Sequence, residues 1–490
     1  MHSFLKSVIL IATIANITMA QTTVPFGKYF EDATMRIDYF HIADSKSDVF
    51  TVDKIYKQGI WAGSRVNLID PFNQGRYYIK IYDADSNTLI YSKGFDSYCG
   101  EYKTSGPAEK GIQRTYHETA LIPFPRKNIR FTIERRNREN NLEALFSQEI
   151  VPDSVYVVDG DWIEDVKVFE AHKSGEPYNK VDIAIVGEGY TETEENKFIE
   201  DLNYYTGVLF SYDPYKNHKD KFNIYGVLKF SEESGTDEPR ANIYKSTVLN
   251  STFNSMGSER YLLTEDNKSL RNVAAHVPYD AVLIMVNTKR YGGGGIYNFF
   301  LTFTSDNQWK DYVFIHELGH AFAGLADEYY SSSTAYSEFY PLGIEPTEPN
   351  ITALLDPPNV KWNNFLSKKI QIPTPWEKAD FDKMDQEYQK KRTEINDRIA
   401  KLKRERAPQE EIEAAEKESE ALSKSSADKS DEYLKSSKYY GKVGVFEGAG
   451  YSSEGLYRPM IDCIMFTKSC KTFCKVCENS IIEVIQHYAE

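Results

Sequence analysis

The chain has 490 residues and a formal net charge of −15, with 41% hydrophobic and 27% charged residues. That length exceeds one ordinary core, so two or three domains of a globular protein are expected. The acidic excess excludes nucleic acid as a natural partner, because phosphate binding needs clustered Lys and Arg, and it disfavours docking on anionic lipid.

Residues 1–20 read as a signal peptide. Lys6 supplies a positive start, residues 8–14 (VILIATI) a short apolar run, and Thr18 and Ala20 small residues at a cleavage site. The apolar run is too short for a membrane span, and no later segment approaches the needed length. A secreted, periplasmic or cell-surface protein without a transmembrane segment after signal removal is therefore expected.

Residues 21–160 read as an N-terminal β-sandwich domain. Residues 77–82 (YYIKIY) and 88–91 (TLIY) flank a polar turn, and residues 128–135 (NIRFTIER) alternate apolar and polar at period two. After residue 178 the character changes. Residues 181–186 (VDIAIV), 222–230 and 280–286 read as buried strands, and 192–210 as an amphipathic helix with an acidic first turn. Strands alternating with helices predict an α/β layer within an α+β multidomain chain. Four glycines follow at 292–295. Residues 377–435 turn abruptly to Glu, Lys, Ala, Arg and Gln, and Pro408 interrupts them, which predicts a helical-hairpin insertion in a domain spanning 161–490.

His316-Glu317-Leu318-Gly319-His320 carries the chemistry. Two His four residues apart lie on one helix face and can share one metal ion, Zn²⁺ by preference. Glu317 projects beside the ion, where it can take a proton from a metal-activated water and later pass it to a leaving amine. A catalytic zinc usually takes three protein ligands. Gly324 is suited to end the helix in a left-handed turn, after which the chain can return a carboxylate. Asp327 is the expected third ligand, with Glu328 as competitor. Failing both, the ligand would be a Glu on a later helix.

The run HELGHAFAGLADEY at 316–329 resembles the signature of the immunoglobulin A peptidase family (peptidase family M64). It is also similar to the metzincin pattern, although its glycine falls one place later. Residues 444–451, 457–459, 462–465 and 473–477 resemble further segments of that family. The resemblance implies a metzincin-like zinc peptidase domain after an N-terminal β-domain, with Met465 packing beneath the metal. It also implies an extended substrate lying antiparallel to an edge strand, for which residues 280–288 are the candidate. Tyr329, Tyr330 and Tyr457 are candidate oxyanion donors. A protein or peptide substrate is expected, with immunoglobulin or glycoprotein as candidates. A non-catalytic binding protein on a protease fold is the alternative, and the intact Glu317 argues against it.

Cys99 stands alone, while Cys463, Cys470, Cys474 and Cys477 crowd together. In an exported chain this predicts one or two disulfides of open connectivity. A zinc site of all four thiolates is the rival, against which stands the lack of two clean CxxC pairs. No EF-hand spacing appears, and calcium binding stays open.

Overall fold

A computed structural model describes residues 23–160, 163–330, 340–341 and 343–489. The signal segment expected over 1–20 lies outside the described residues. The fold is α+β, with an N-terminal β domain and a larger mixed domain. No helix among the described residues is long and apolar enough to cross a membrane.

The N-terminal part holds two four-stranded sheets. One orders β5 (Arg114–Pro125), β1 (Phe30–Ala43), β2 (Asp48–Gln58) and β8 (Val157–Asp159). The other orders β4 (Leu89–Phe95), β3 (Tyr77–Asp83), β6 (Ile129–Arg136) and β7 (Leu142–Ile150). Alternation explains the pairing of faces. Met35, Ile37 and Tyr39 of one sheet meet Ile79, Ile81, Phe131 and Ile133 of the other in a shared core. The opposite face of β1 is buried too, but polar. Arg36 pairs with Asp38 at 2.6 Å and reaches Asn272 at 2.8 Å, so this face docks on the second domain.

The second domain is built on a six-stranded sheet. Its order is β13 (Gly293–Ile296), β14 (Phe300–Thr304), β12 (Ala281–Val286), β10 (Val181–Glu188), β11 (Phe222–Leu228) and β9 (Lys167–His172). The four inner strands run parallel, and both edge strands run antiparallel to their neighbours. Period-two alternation splits the inner residues between two cores. Ile183, Ile185, Leu283 and Met285 face α1 (Glu195–Leu209), α3 (Lys310–Ala323) and α6 (Lys475–Tyr488). Ala184, Val186, Val282 and Ile284 face α2 (Asn267–Ala274).

The substrate edge expected at residues 280–288 is corrected. β12 is paired on both sides, as suits an apolar run without polar alternation. The glycine run itself supplies the edge, as β13. The missing side chains let this strand lie directly on α3. A Cβ on Gly295 would stand 2.5 Å from the Glu317 carbonyl oxygen and 3.0 Å from His320 Cβ.

Two further helices, α4 (Lys378–Arg404) and α5 (Gln409–Ser436), pack side by side in opposite directions. Asn396 meets Ser419 at 3.2 Å, and Arg398 pairs with Glu418. Rather than standing free, the pair leans on the sheet's rim, with Lys403 3.4 Å from Glu238 and Trp309 donating to Ser423 at 3.0 Å. An antiparallel pair of strands, β15 (Val443–Ala449) and β16 (Ser452–Met460), follows.

The close approach of β13 to α3 makes a direct prediction. Gly295→Ala should destabilise the protein by roughly 1–3 kcal/mol through overpacking, read as a lowered urea midpoint. An unchanged midpoint would show that the strand does not sit against the helix as described.

Candidate metal centre and active site

α3 runs from Lys310 to Ala323 and buries Val313, Phe314, Ile315, Leu318 and Phe322 on the sheet. His316 and His320, one turn apart, project from the face below β13. Gly324 then adopts φ +59 and turns the chain back, with Leu325 N–H bonded to the Gly319 carbonyl at 3.2 Å. The returning segment brings Asp327 to the two imidazoles.

The distances define a compact triangle. His316 Nε2 and His320 Nε2 are 3.1 Å apart, and Asp327 Oδ1 lies 3.1 and 3.2 Å from them. Bonds of about 2.0–2.1 Å to a tetrahedral zinc would place ligand atoms roughly 3.3 Å apart. The other ring nitrogens are already committed. His316 Nδ1 lies 3.0 Å from the Ile464 carbonyl, and His320 Nδ1 lies 2.6 Å from that of Leu325. A carbonyl only accepts, so Nδ1 carries the proton in each ring and Nε2 offers its lone pair. Asp327 Oδ1 is buried without a hydrogen-bond donor of its own, while its Oδ2 accepts from the Tyr451 hydroxyl. Three acceptor atoms facing one another fit a divalent cation, and these residues have the donor set that zinc prefers.

Glu328 points elsewhere. Its carboxylate meets Cys477 Sγ at 3.2 Å and Asn350 Nδ2 at 3.2 Å, so the structure brings Asp327, not its competitor, to the histidines. Met465 lies beneath α3, where a Cβ on Gly319 would come within 2.9 Å of its sulfur. Its carbonyl accepts from Glu328 N–H at 2.8 Å, which ties this turn to the loop that carries Asp327.

Glu317 shares a cleft with His316, His320, Asp327, Gly295 and Tyr329. Burial raises its carboxyl pKa above the usual range, against the pull of the two imidazoles. Tyr329 stacks nearly parallel to the His316 ring, at 13° and 6.2 Å between centroids. Its hydroxyl accepts from Arg260 at 2.9 Å. Tyr330 instead donates to Asp382, and Tyr457 pairs through its backbone with Thr352, so neither joins this cleft. Residues 75, 96 and 101 of the N-terminal domain complete the wall.

Arg260 escapes a reading of the sequence, and Tyr451 enters it only within the run 444–451, because no local spacing links either to α3. His117, His276 and His487 stand apart from the centre. His276, for example, lies near the carbonyls of Val273 and Ile163. The expected disulfides are also corrected, since all five cysteines are free. Cys463 and Cys477 Sγ are 3.9 Å apart, far beyond an S–S bond. Cys470 turns away toward Thr472. Cys99 joins a buried group with His41 and Glu118, in which both His41 nitrogens already face carboxylates.

The triangle predicts competition between cation and proton. Burial alone would lower the His320 pKa, but the facing Asp327 carboxylate outweighs it and pushes His320 up to about 9. The same imidazoles hold Asp327 well below the usual carboxylate range despite its burial. His320 therefore keeps a proton through neutral pH when no ion is bound, and a metal must displace it. Apparent zinc affinity should rise by about tenfold per pH unit from pH 6 to pH 8, measured by chelator competition. Affinity independent of pH over that range would contradict the arrangement.

Two family models match the chain. One, described as IgA Peptidase M64, covers residues 169–485, and another, described as Peptidase M64 N-terminus, covers residues 25–147. No curated protein matches it. The first match spans more than half of the chain and contains the whole His–His–Asp cluster. The chain therefore belongs to the IgA peptidase M64 family, and it is a peptidase by that membership.

Proposed function

We propose that the protein is an exported zinc-dependent endopeptidase, with the ion held by His316, His320 and Asp327. The observation that carries this reading is the convergence of His316 Nε2, His320 Nε2 and Asp327 Oδ1 beside the Glu317 carboxylate. When bound, zinc would supply a polarised, readily deprotonated water and charge stabilisation for the carbonyl oxygen. The chain supplies the rest. Glu317, its pKa raised by burial, is suited to accept the proton of the attacking water and return it to the departing amine. Tyr329 and Arg260 line the same cleft and can donate to the oxyanion that develops at the scissile carbonyl.

Substrate positioning follows from the edge of β13. Gly293 N–H and C=O both turn away from β14, toward the Arg260 carbonyl and the Leu262 N–H. Residues two apart in a strand present these groups to the same side, so Gly295 offers its pair toward the cleft. An extended peptide would add there as a further strand. This supports a protein or peptide substrate, with immunoglobulin and glycoproteins as the first to assay.

The domain reading follows the same lines. We assign a signal peptide to 1–20, a β-sandwich to 21–160 and a metzincin-like catalytic domain to 161–490. The last carries a helical-hairpin insertion at 377–435. Secretion, or residence in a periplasm or on a cell surface, rests on residues 1–20.

The test compares the wild type with Glu317→Gln on a fluorescent peptide library and on casein. Glu317→Gln should retain zinc yet lose about 10²–10⁴ in kcat/KM. Tyr329→Phe should lose on the order of 10² in kcat with a smaller change in KM. Zinc binding without cleavage by the wild type would favour a binding protein on a protease fold.

A further inference from the structure

We propose that Glu328, Cys463, Cys474 and Cys477 form a second, structural site for a thiophilic divalent cation, zinc by preference. The four residues are fully or nearly fully buried, and their ligand atoms all lie within 4.8 Å of one another. Cys463 and Cys477 sulfurs are 3.9 Å apart. Glu328 Oε1 is 3.7 Å from Cys474 Sγ and 3.2 Å from Cys477 Sγ. A tetrahedral zinc with S bonds of about 2.3 Å and an O bond of about 2.0 Å would give edges near ~3.8 Å and ~3.5 Å. The cluster has that size.

Hydrogen bonding points to charged sulfurs. Cys463 Sγ accepts from the backbone N–H groups of Met465 at 3.4 Å and Cys474 at 3.2 Å, and Cys474 Sγ accepts from Cys477 N–H at 3.4 Å. Three backbone donors aimed at two sulfurs suit thiolates better than neutral thiols. The carboxylate tells the same story. Glu328 Oε2 is buried and unpartnered, and Asn350 is the nitrogen donor to Oε1. A buried carboxylate so sparsely bonded is costly unless a cation shares its charge. A disulfide between two of the sulfurs would leave both the third thiol and this carboxylate unanswered.

The site has no opening for substrate, which is the mark of a structural centre rather than a catalytic one. Its position gives it work to do. Glu328 follows Asp327 directly, and Cys463 precedes Ile464, whose carbonyl orients His316. Cys474 is the N-cap of α6, which packs beneath α3. One ion would therefore clamp the ligand loop, the Met465 turn and the C-terminal helix to one another. The fourth donor is a carboxylate rather than Cys470, so the site departs from a four-thiolate centre.

The test is metal counting on the full chain, purified without chelator, by inductively coupled plasma mass spectrometry. Wild type should carry two equivalents. The His316→Ala/His320→Ala variant should keep one, and Glu328→Gln and Cys477→Ser should each lose one. Cobalt loaded into the double-His variant should give a near-ultraviolet thiolate-to-metal charge-transfer band. Cobalt titration of the wild type reports the same band if the substituted proteins fail to fold.

The outcomes separate the two centres. A single equivalent that survives removal of the histidines supports this site and sinks the catalytic-metal reading. A single equivalent lost on that removal, with no thiolate band, overturns this site alone. An intact mass showing a disulfide among the three cysteines in active protein also overturns it.

Discussion

Two imidazole nitrogens and a carboxylate oxygen are held 3.1–3.2 Å apart with their lone pairs converging. Acceptors so arranged repel one another, and a buried, low-dielectric wall strengthens that repulsion. Only a cation, or a proton in its place, makes the geometry favourable. The surrounding structure is understood most simply as the apparatus that enforces this convergence and leaves one side open to a cleft.

Four segments around α3 contribute. β13 presses on α3 because Gly293 and Gly295 have no side chains to hold it off. Gly324 turns the chain so that Asp327 returns to the helix. The turn between β15 and β16 clasps the returning loop, with Gly450 N–H on the Asp327 carbonyl at 2.9 Å and Tyr451 N–H on that of Tyr329 at 3.1 Å. The turn at residues 463–467 places the Ile464 carbonyl behind His316 and Met465 under Gly319. Arg458, fully buried, binds the Gly448 carbonyl at 2.6 Å and stacks on Phe466 at 3.9 Å, joining β15 to that turn. Outer-layer contacts of this kind fix the tautomer and direction of each of the three converging side chains.

What the sequence reveals follows the range of the interaction. His316 and His320 are legible because four residues make one helical turn, and the strands at 181–186 and 222–228 are legible because their apolar runs need both faces covered. The choice between Asp327 and Glu328 is not local. Neighbouring side chains in an extended loop point opposite ways, and partners more than 120 residues away decide which goes where: Tyr451 for Asp327, Cys477 for Glu328. The glycine run reads as a loop because it lacks a β-prone side chain, yet packing on α3 makes it the edge strand. Cysteine spacing likewise says nothing of a carboxylate from another segment, which is why disulfides were the natural expectation.

We propose that one cation sits between the two histidines and Asp327. A crystal of the zinc-loaded protein, measured on both sides of the zinc absorption edge, tests it most directly. An anomalous peak is expected about 2.0–2.2 Å from His316 Nε2, His320 Nε2 and Asp327 Oδ1 together. Imidazoles turned apart with no peak between them, or a peak whose third ligand is a different carboxylate, would contradict it.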